Sequence, residues 1–170
     1  MTRLIASSLV GAVAISLSAA QMPKYGVTAN VEKDVDLSKL KTYSWTQGQP
    51  SAAKSIDAQI VAAIDHELGE SGMTKAASGP GDVLIAYYSL TRTDVDVHGD
   101  ADEKGMRPQY SVGTLVVAML EPSDRRRLVR LRIDKPIDTA PAQLDASIKS
   151  AVAELFEKYR VLQSRALKKS

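Results

Sequence analysis

The sequence holds two histidines, His66 and His98, and a Ser-His-Asp hydrolase would have to recruit one of them. His66 opens the run His66-Glu67-Leu68-Gly69-Glu70, which resembles half of the zinc-hydrolase pattern H-E-x-x-H. That pattern needs a second imidazole one helical turn on, so that two nitrogens meet one metal. Glu70 stands there instead. His66 also lies two positions from both Ile64 and Leu68, off the apolar stripe of its helix, and reads as a solvated surface residue. His98 follows Asp94 and Asp96 at alternate positions and precedes Gly99, like the start of a calcium loop. His98 occupies the place of the third oxygen ligand, and Gly105 the place of the bidentate Glu. The loop from Asp94 to Glu103 therefore reads as a polar strand with a solvated acidic face, a weak cation site being the sharper alternative. No G-x-S-x-G elbow, Walker A loop or G-x-G-x-x-G fingerprint occurs. We assign no catalytic residue, no metal ligand and no cofactor, and expect a protein that is not an enzyme.

One stretch has a lopsided charge. Residues 125–135 carry Arg125, Arg126, Arg127, Arg130, Arg132 and Lys135 against Asp134. Strand alternation puts Arg126, Arg130 and Arg132 on one face, with Leu128 among them, and Val129, Leu131 and Ile133 on the other. Guanidinium forks match phosphate and carboxylate, so this is a candidate anion-binding face for lipid phosphate or an acidic envelope protein. The plainer reading is a solvated or edge-protecting face, paired with the acidic loop 94–103. Nucleic acid is not expected as a partner, because the patch has no aromatics on which bases could stack.

The elements that must position these groups follow a leader. Arg3 gives a positive start, residues 4–17 are apolar and small, and Ser18-Ala19-Ala20 precedes Gln21. This is the pattern of a secretory signal, with cleavage expected between Ala20 and Gln21. The run is short for a membrane span and is broken by Ser7, Ser8, Gly11 and Ser16. The expected address is the periplasm, with no stable transmembrane segment after cleavage. Cysteine is absent, which excludes disulfides, thiol catalysis and a lipid-accepting Cys. Without the leader the chain has 21 basic and 20 acidic residues, a net charge of +1 with no global pull toward polyanions.

We expect a loose start over 21–26, one domain over 27–165 and a basic tail over 166–170. Val27, Ala29 and Val31 alternate with polar residues, and Tyr43 and Trp45 do the same across 40–45, so both read as strands. A helix is expected over 55–71 from Ile56, Ile60, Ala63, Ile64, Glu67 and Leu68, with Ser55 as N-cap and Gly72 as stop. Residues 82–90 form a buried strand, and 91–110 a polar hairpin with a disordered tip. Residues 113–121 and 126–134 make a β-hairpin through the turn at Pro122. A second helix spans 139–164, with Leu144, Ile148, Val152, Leu155, Phe156, Tyr159 and Leu162 as its stripe. One stripe per helix predicts a two-layer α+β domain: a mainly antiparallel sheet with both helices on one face.

Several of these pieces, in this order, resemble domain-of-unknown-function family 4136. They are residues 36–45, the helix ending at Glu67-Leu68 with Gly72-Met73, residues 82–87, residues 113–117, the Arg-rich return strand and the last helix. The resemblance implies an exported bacterial envelope domain, often a lipoprotein, with an α+β fold and no assigned activity. Two departures stand out: the lipid-accepting Cys is missing, and Arg130-Leu131-Arg132 stands where a Trp-Arg-Gly-like stretch is usual. The leading reading is a non-catalytic envelope protein acting through a binding surface, its partner unspecified. The second is a carrier of a small ligand or lipid, with a pocket between sheet and helices lined by Tyr43, Trp45, Tyr87 and Tyr88. The third is an uncharacterised hydrolase, which needs a clustered polar site near His66 or His98.

Overall fold

In the computed structural model, residues 25–137 and 141–167 are described. The leader, the cleavage site at Ala20 and Gln21, and the last three residues of the tail lie outside them. Two early strands open the fold, β1 (Gly26–Val31) and β2 (Thr42–Trp45), joined through a short 3-10 turn over Leu37–Lys39 that Asp36 caps. Helix α1 (Lys54–Glu70) follows, then a two-residue strand β3 (Thr74–Lys75). Three long strands come next, β4 (Val83–Val95), β5 (Gln109–Leu120) and β6 (Arg127–Pro136), and helix α2 (Pro141–Leu167) closes the chain. They build one six-stranded sheet in the order β1-β6-β5-β4-β2-β3. Pairing is antiparallel except for β2, which runs parallel to both β3 and β4. The fold is α+β, with a mainly antiparallel sheet and two helices.

The helices form because their apolar residues recur at helical spacing, and the core forms because those stripes meet one face of the sheet. Ile60, Ile64 and Leu68 of α1 and Val152, Leu155, Phe156 and Tyr159 of α2 are buried together with Ile85, Val117, Met119, Val129 and Leu131 of the sheet. The helices run side by side in the same direction, since Glu67 meets Arg160 (2.7 Å) and the Ser71 carbonyl meets Gln163 (3.4 Å). Glu67 is a charged member of the α1 stripe and is 9% exposed. Its ion pair with Arg160 lets a carboxylate sit between the two helices.

Several boundaries differ from the sequence reading. The N-cap of α1 is Ala53, which offers no side-chain acceptor, and Ser55 lies inside the first turn. The helix starts early because residues 46–50 run along β4, with the Gln49 N–H on the Tyr87 carbonyl and the Ser89 N–H on the Gln49 carbonyl. Gly48 permits that approach, since a Cβ there would stand 2.1 Å from the Tyr87 oxygen. The helix ends as expected, with Gly72 at φ +80°. β3 was too short to show any periodicity. β1 already begins at Gly26, paired with Asp134, so the loose start does not reach that far. α2 continues to Leu167, into the expected tail. The tip of the β4–β5 hairpin is folded by its own hydrogen bonds: Asp102 accepts from the N–H groups of Lys104 (2.9 Å) and Met106 (2.8 Å).

The return hairpin carries the largest correction. Met119 pairs with Val129 but Leu120 pairs with Arg127, so Leu128 is an extra residue, a β-bulge. The extra residue resets the alternation. Leu128 and Val129 both enter the core, at 4% and 0% exposure. Arg126 falls before the strand, in the turn, and does not share a face with Arg130 and Arg132.

Candidate functional site

The helix-facing side chains of β4, β5 and β6 lie in cross-strand rows. Ile85, Met119 and Val129 form one, then Tyr87, Val117 and Leu131, then Ser89, Leu115 and Ile133, and last Thr91, Gly113 and Lys135. The first two rows are large, apolar and buried. In the last, the residue types change to a hydroxyl, no side chain and an ammonium. The helix above changes in step: Phe156, Leu155 and Val152 are fully buried, whereas Ile148 and Leu144, nearer the start of α2, are half-buried. Small residues below and a receding stripe above leave a gap.

That gap is a cleft of about 640 Å³ between the sheet and the N-terminal turns of both helices. Its apolar wall is aliphatic, made by Ile56 and Ile60 of α1, Leu115 and Ile133 of the sheet, and Leu144 and Ile148 of α2. Ser89, Thr91, Ser147 and Lys135 bring polar atoms to it. Its volume and mixed character suit a small ligand. Lys135 pairs across the cleft's edge with Glu154 of α2, both side chains being more than a third exposed.

The carrier reading expected Tyr43, Trp45, Tyr87 and Tyr88 around such a pocket, and none of them lines the cleft. Three of them fasten α1 to the sheet instead. Tyr43 O–H (2.8 Å) and Trp45 Nε1–H (2.9 Å) both donate to Asp65, and Tyr87 O–H donates to Asp57. Trp45 and Tyr87 meet edge to face at 6.2 Å. Burial, and then the bond to Asp57, pushes the Tyr87 hydroxyl up to about 12. Tyr88 points to the other side of the sheet, in the opposite parity from Tyr87. The spacing of Asp57 and Asp65, two helical turns apart, was the available sign that two carboxylates share one flank of the stripe.

Behind the cleft, on the uncovered face of the sheet, lies a polar network. Asp134 accepts from Thr114 Oγ1–H (2.6 Å), Arg92 (3.1 Å) and Arg132 (2.7 and 2.9 Å). Arg92 also holds Asp94 (2.9 Å), which accepts from Tyr25 O–H (2.8 Å), and Tyr25 meets Tyr110. The Arg132 bond outweighs burial and pulls Asp134 down to about 2. Arg92, followed by Tyr25, lowers Asp94 as well. The charges cancel. The network ties the hairpin, β6 and the chain before β1 into one frame, and no sequence spacing announced it, because its members come from four separated segments.

The two histidines lie on separate elements, α1 and the β4–β5 hairpin. His66 is exposed on α1, and His98 is exposed at the margin of a second cleft beside the network. The network's two carboxylates there are held by arginines, and Asp96 accepts the His98 N–H (3.0 Å). Among the described residues no three His, Cys, Asp or Glu side chains come together as metal ligands, so the Asp94–Glu103 loop does not converge. The arginine face is also dispersed. Arg126 stands 3.6 Å from Glu121, Arg127 pairs with Glu32 (3.1 Å), and Arg132 belongs to the network. Arg130 alone of the three makes no side-chain hydrogen bond or ion pair among the described residues.

Residues 27–159 match the family described as a domain of unknown function, DUF4136. The chain belongs to this family. No curated protein matches its sequence closely. This DUF4136 domain is similar in fold to a PDZ domain protein from Parabacteroides distasonis, with a TM-score of 0.56 and 15% identity over 79% of this chain. The match covers 35% of that protein, so the chain spans about a third of its length. It is also similar to two crystal forms of the PelC dodecamer from Paraburkholderia phytofirmans, at TM-scores of 0.54 and 0.52 and identities of 9% and 8%. Those matches cover 81% and 79% of this chain and 98% and 97% of PelC. Among the described residues, no helix of this DUF4136 domain is long and apolar enough to cross a membrane.

Proposed function

We propose that this is an exported, non-catalytic binding domain of the cell envelope, and that the cleft over Gly113 is its binding site for an apolar ligand. The cleft carries the reading: it interrupts the helix–sheet core and is lined by aliphatic side chains from α1, α2 and the sheet. Burying apolar ligand surface against such a wall is favourable by about 25 cal/mol per Å². The leader over residues 1–20 supports export, and the missing Cys supports a free periplasmic form over a lipid-anchored one. The non-catalytic part rests on exposed histidines and on carboxylates already held by arginines.

Binding of a neutral environment-sensitive dye tests the cleft. Ser147→Trp should fill it from the exposed side of α2 and weaken dye binding at least tenfold, with the melting temperature near that of the parent. Unchanged dye binding would refute the site. N-terminal sequencing of the exported protein should begin at Gln21, and a retained Met1 would refute cleavage.

A further inference from the structure

We infer that the ligand of this cleft is a single-chain amphiphile with an anionic head, a carboxylate or phosphate, that takes Lys135 from Glu154. The inference rests on the cleft being the binding site and adds the chemistry of the ligand's head. Three observations carry it.

The cleft is graded. Its inner row sets two aliphatic side chains, Leu115 and Ile133, beside one hydroxyl, Ser89, whereas its outer row holds Thr91, Gly113 and Lys135. Ser147 adds a hydroxyl on the exposed side of α2. An apolar chain with one polar end matches that gradient.

The charge at the outer row is a cation. Among the described residues, Lys135 is the only charged one that lines the cleft. It follows Ile133 on the helix-facing side of β6, directly opposite Gly113. Gly113 brings no side chain, and the Ile137 methyl packs over it, within 2.9 Å of where a Cβ would stand, beside the Lys135 stem.

The present partner is exchangeable. Lys135 and Glu154 are 40% and 38% exposed, and an ion pair so well solvated holds weakly. A ligand whose chain is anchored in the cleft would present its head to Lys135 at high effective concentration, whereas Glu154 can turn to water. Two carboxylates near this end already have partners: Asp57 is held by Tyr87, and Asp145 is paired with Lys149 along α2.

Displacement of the neutral dye from the purified protein provides the test, with four probes of equal chain length: dodecanoate, dodecyl phosphate, dodecanol and dodecyltrimethylammonium. At least one anion should bind tenfold or more tightly than the cationic probe. Which of the two anions is preferred separates a fatty-acid source from a phospholipid-derived one. Affinity should rise about fourfold for each added methylene between decanoate and tetradecanoate. Lys135→Gln should erase the preference for the anion, Lys135→Arg should keep it, and Glu154→Gln should tighten anion binding by removing the competitor. A pair that merely braces α2 against β6 predicts the reverse for Glu154→Gln, no gain. Equal affinities for anionic and cationic probes would overturn the head-group inference while leaving the cleft. Failure of every probe and of the dye to bind would overturn the cleft reading too.

Discussion

The helix–sheet interface has a closed end and an open end, and the same two helices and three strands make both. At the closed end Phe156 and Tyr159 stand edge to face at 6.0 Å, and Met73, Leu68, Met119 and Val129 surround them at 2% exposure or less. Burial pushes the Tyr159 hydroxyl up to about 12, and its O–H reaches only the Met73 sulfur (3.9 Å). At the open end the corresponding positions hold Gly113, Ser89, Thr91 and a half-buried Leu144. Packing holds the first end. The second is held from behind, where the Asp134 network fixes the strands whose front face the helices leave uncovered. A sheet braced on its far side can keep a cleft open on its near side without collapsing into it.

Substitutions at the two ends should therefore differ in kind. The largest effect belongs to the closed end: Phe156→Ala should cost about 3–5 kcal/mol in urea unfolding, because the cavity has no route to solvent. A loss under about 1.5 kcal/mol would mean that this end is looser than its burial indicates. Asp134→Asn comes next. A carboxyl depressed from its usual value to about 2 stabilises the fold above the unfolded pKa, and that contribution fades as pH falls through about 2. The variant should lose about 2 kcal/mol near pH 7, and the gap between the two proteins should close between pH 4 and pH 2. A gap that persists at pH 2 would remove the ionic bracing from the comparison. Arg160→Met should cost about 1–3 kcal/mol, since it strands Glu67 between the helices. Restoration by the double variant Arg160→Met with Glu67→Gln checks that cause. Smallest is Leu144→Ala, at about 1 kcal/mol or less, because that side chain is already half in water. Its larger effect should fall on ligand affinity, measured by dye titration.

Much of the frame was legible in the sequence because it repeats. The stripes Ile56-Ile60-Ile64-Leu68 and Leu144-Ile148-Val152-Leu155-Tyr159 gave both helices and their common face, and the alternation around Val129 and Leu131 gave the return strand. Where a local defect breaks the period, the reading failed. One bulge residue moved Leu128 into the core and took Arg126 off the arginine face. The aromatics Tyr43, Trp45 and Tyr87 were recognisable as core-facing, but their hydroxyls and indole N–H had partners, Asp57 and Asp65, that become neighbours only when α1 lies across the sheet.

The linear order of residues by itself determined the α+β class, the amphipathic helices, the family and the leader pattern, since each depends on neighbours within a few positions along the chain. The cleft and the network depended on the tertiary structure. Gly113, Ile60 and Leu144 are far apart in the chain, as are Tyr25, Arg92, Thr114 and Asp134; packing of both helices on the sheet brings the first set together, and strand register the second. Both depend on contacts between segments distant along the chain, and a single bulge changes which side chains meet, so the pattern within any one segment does not show them.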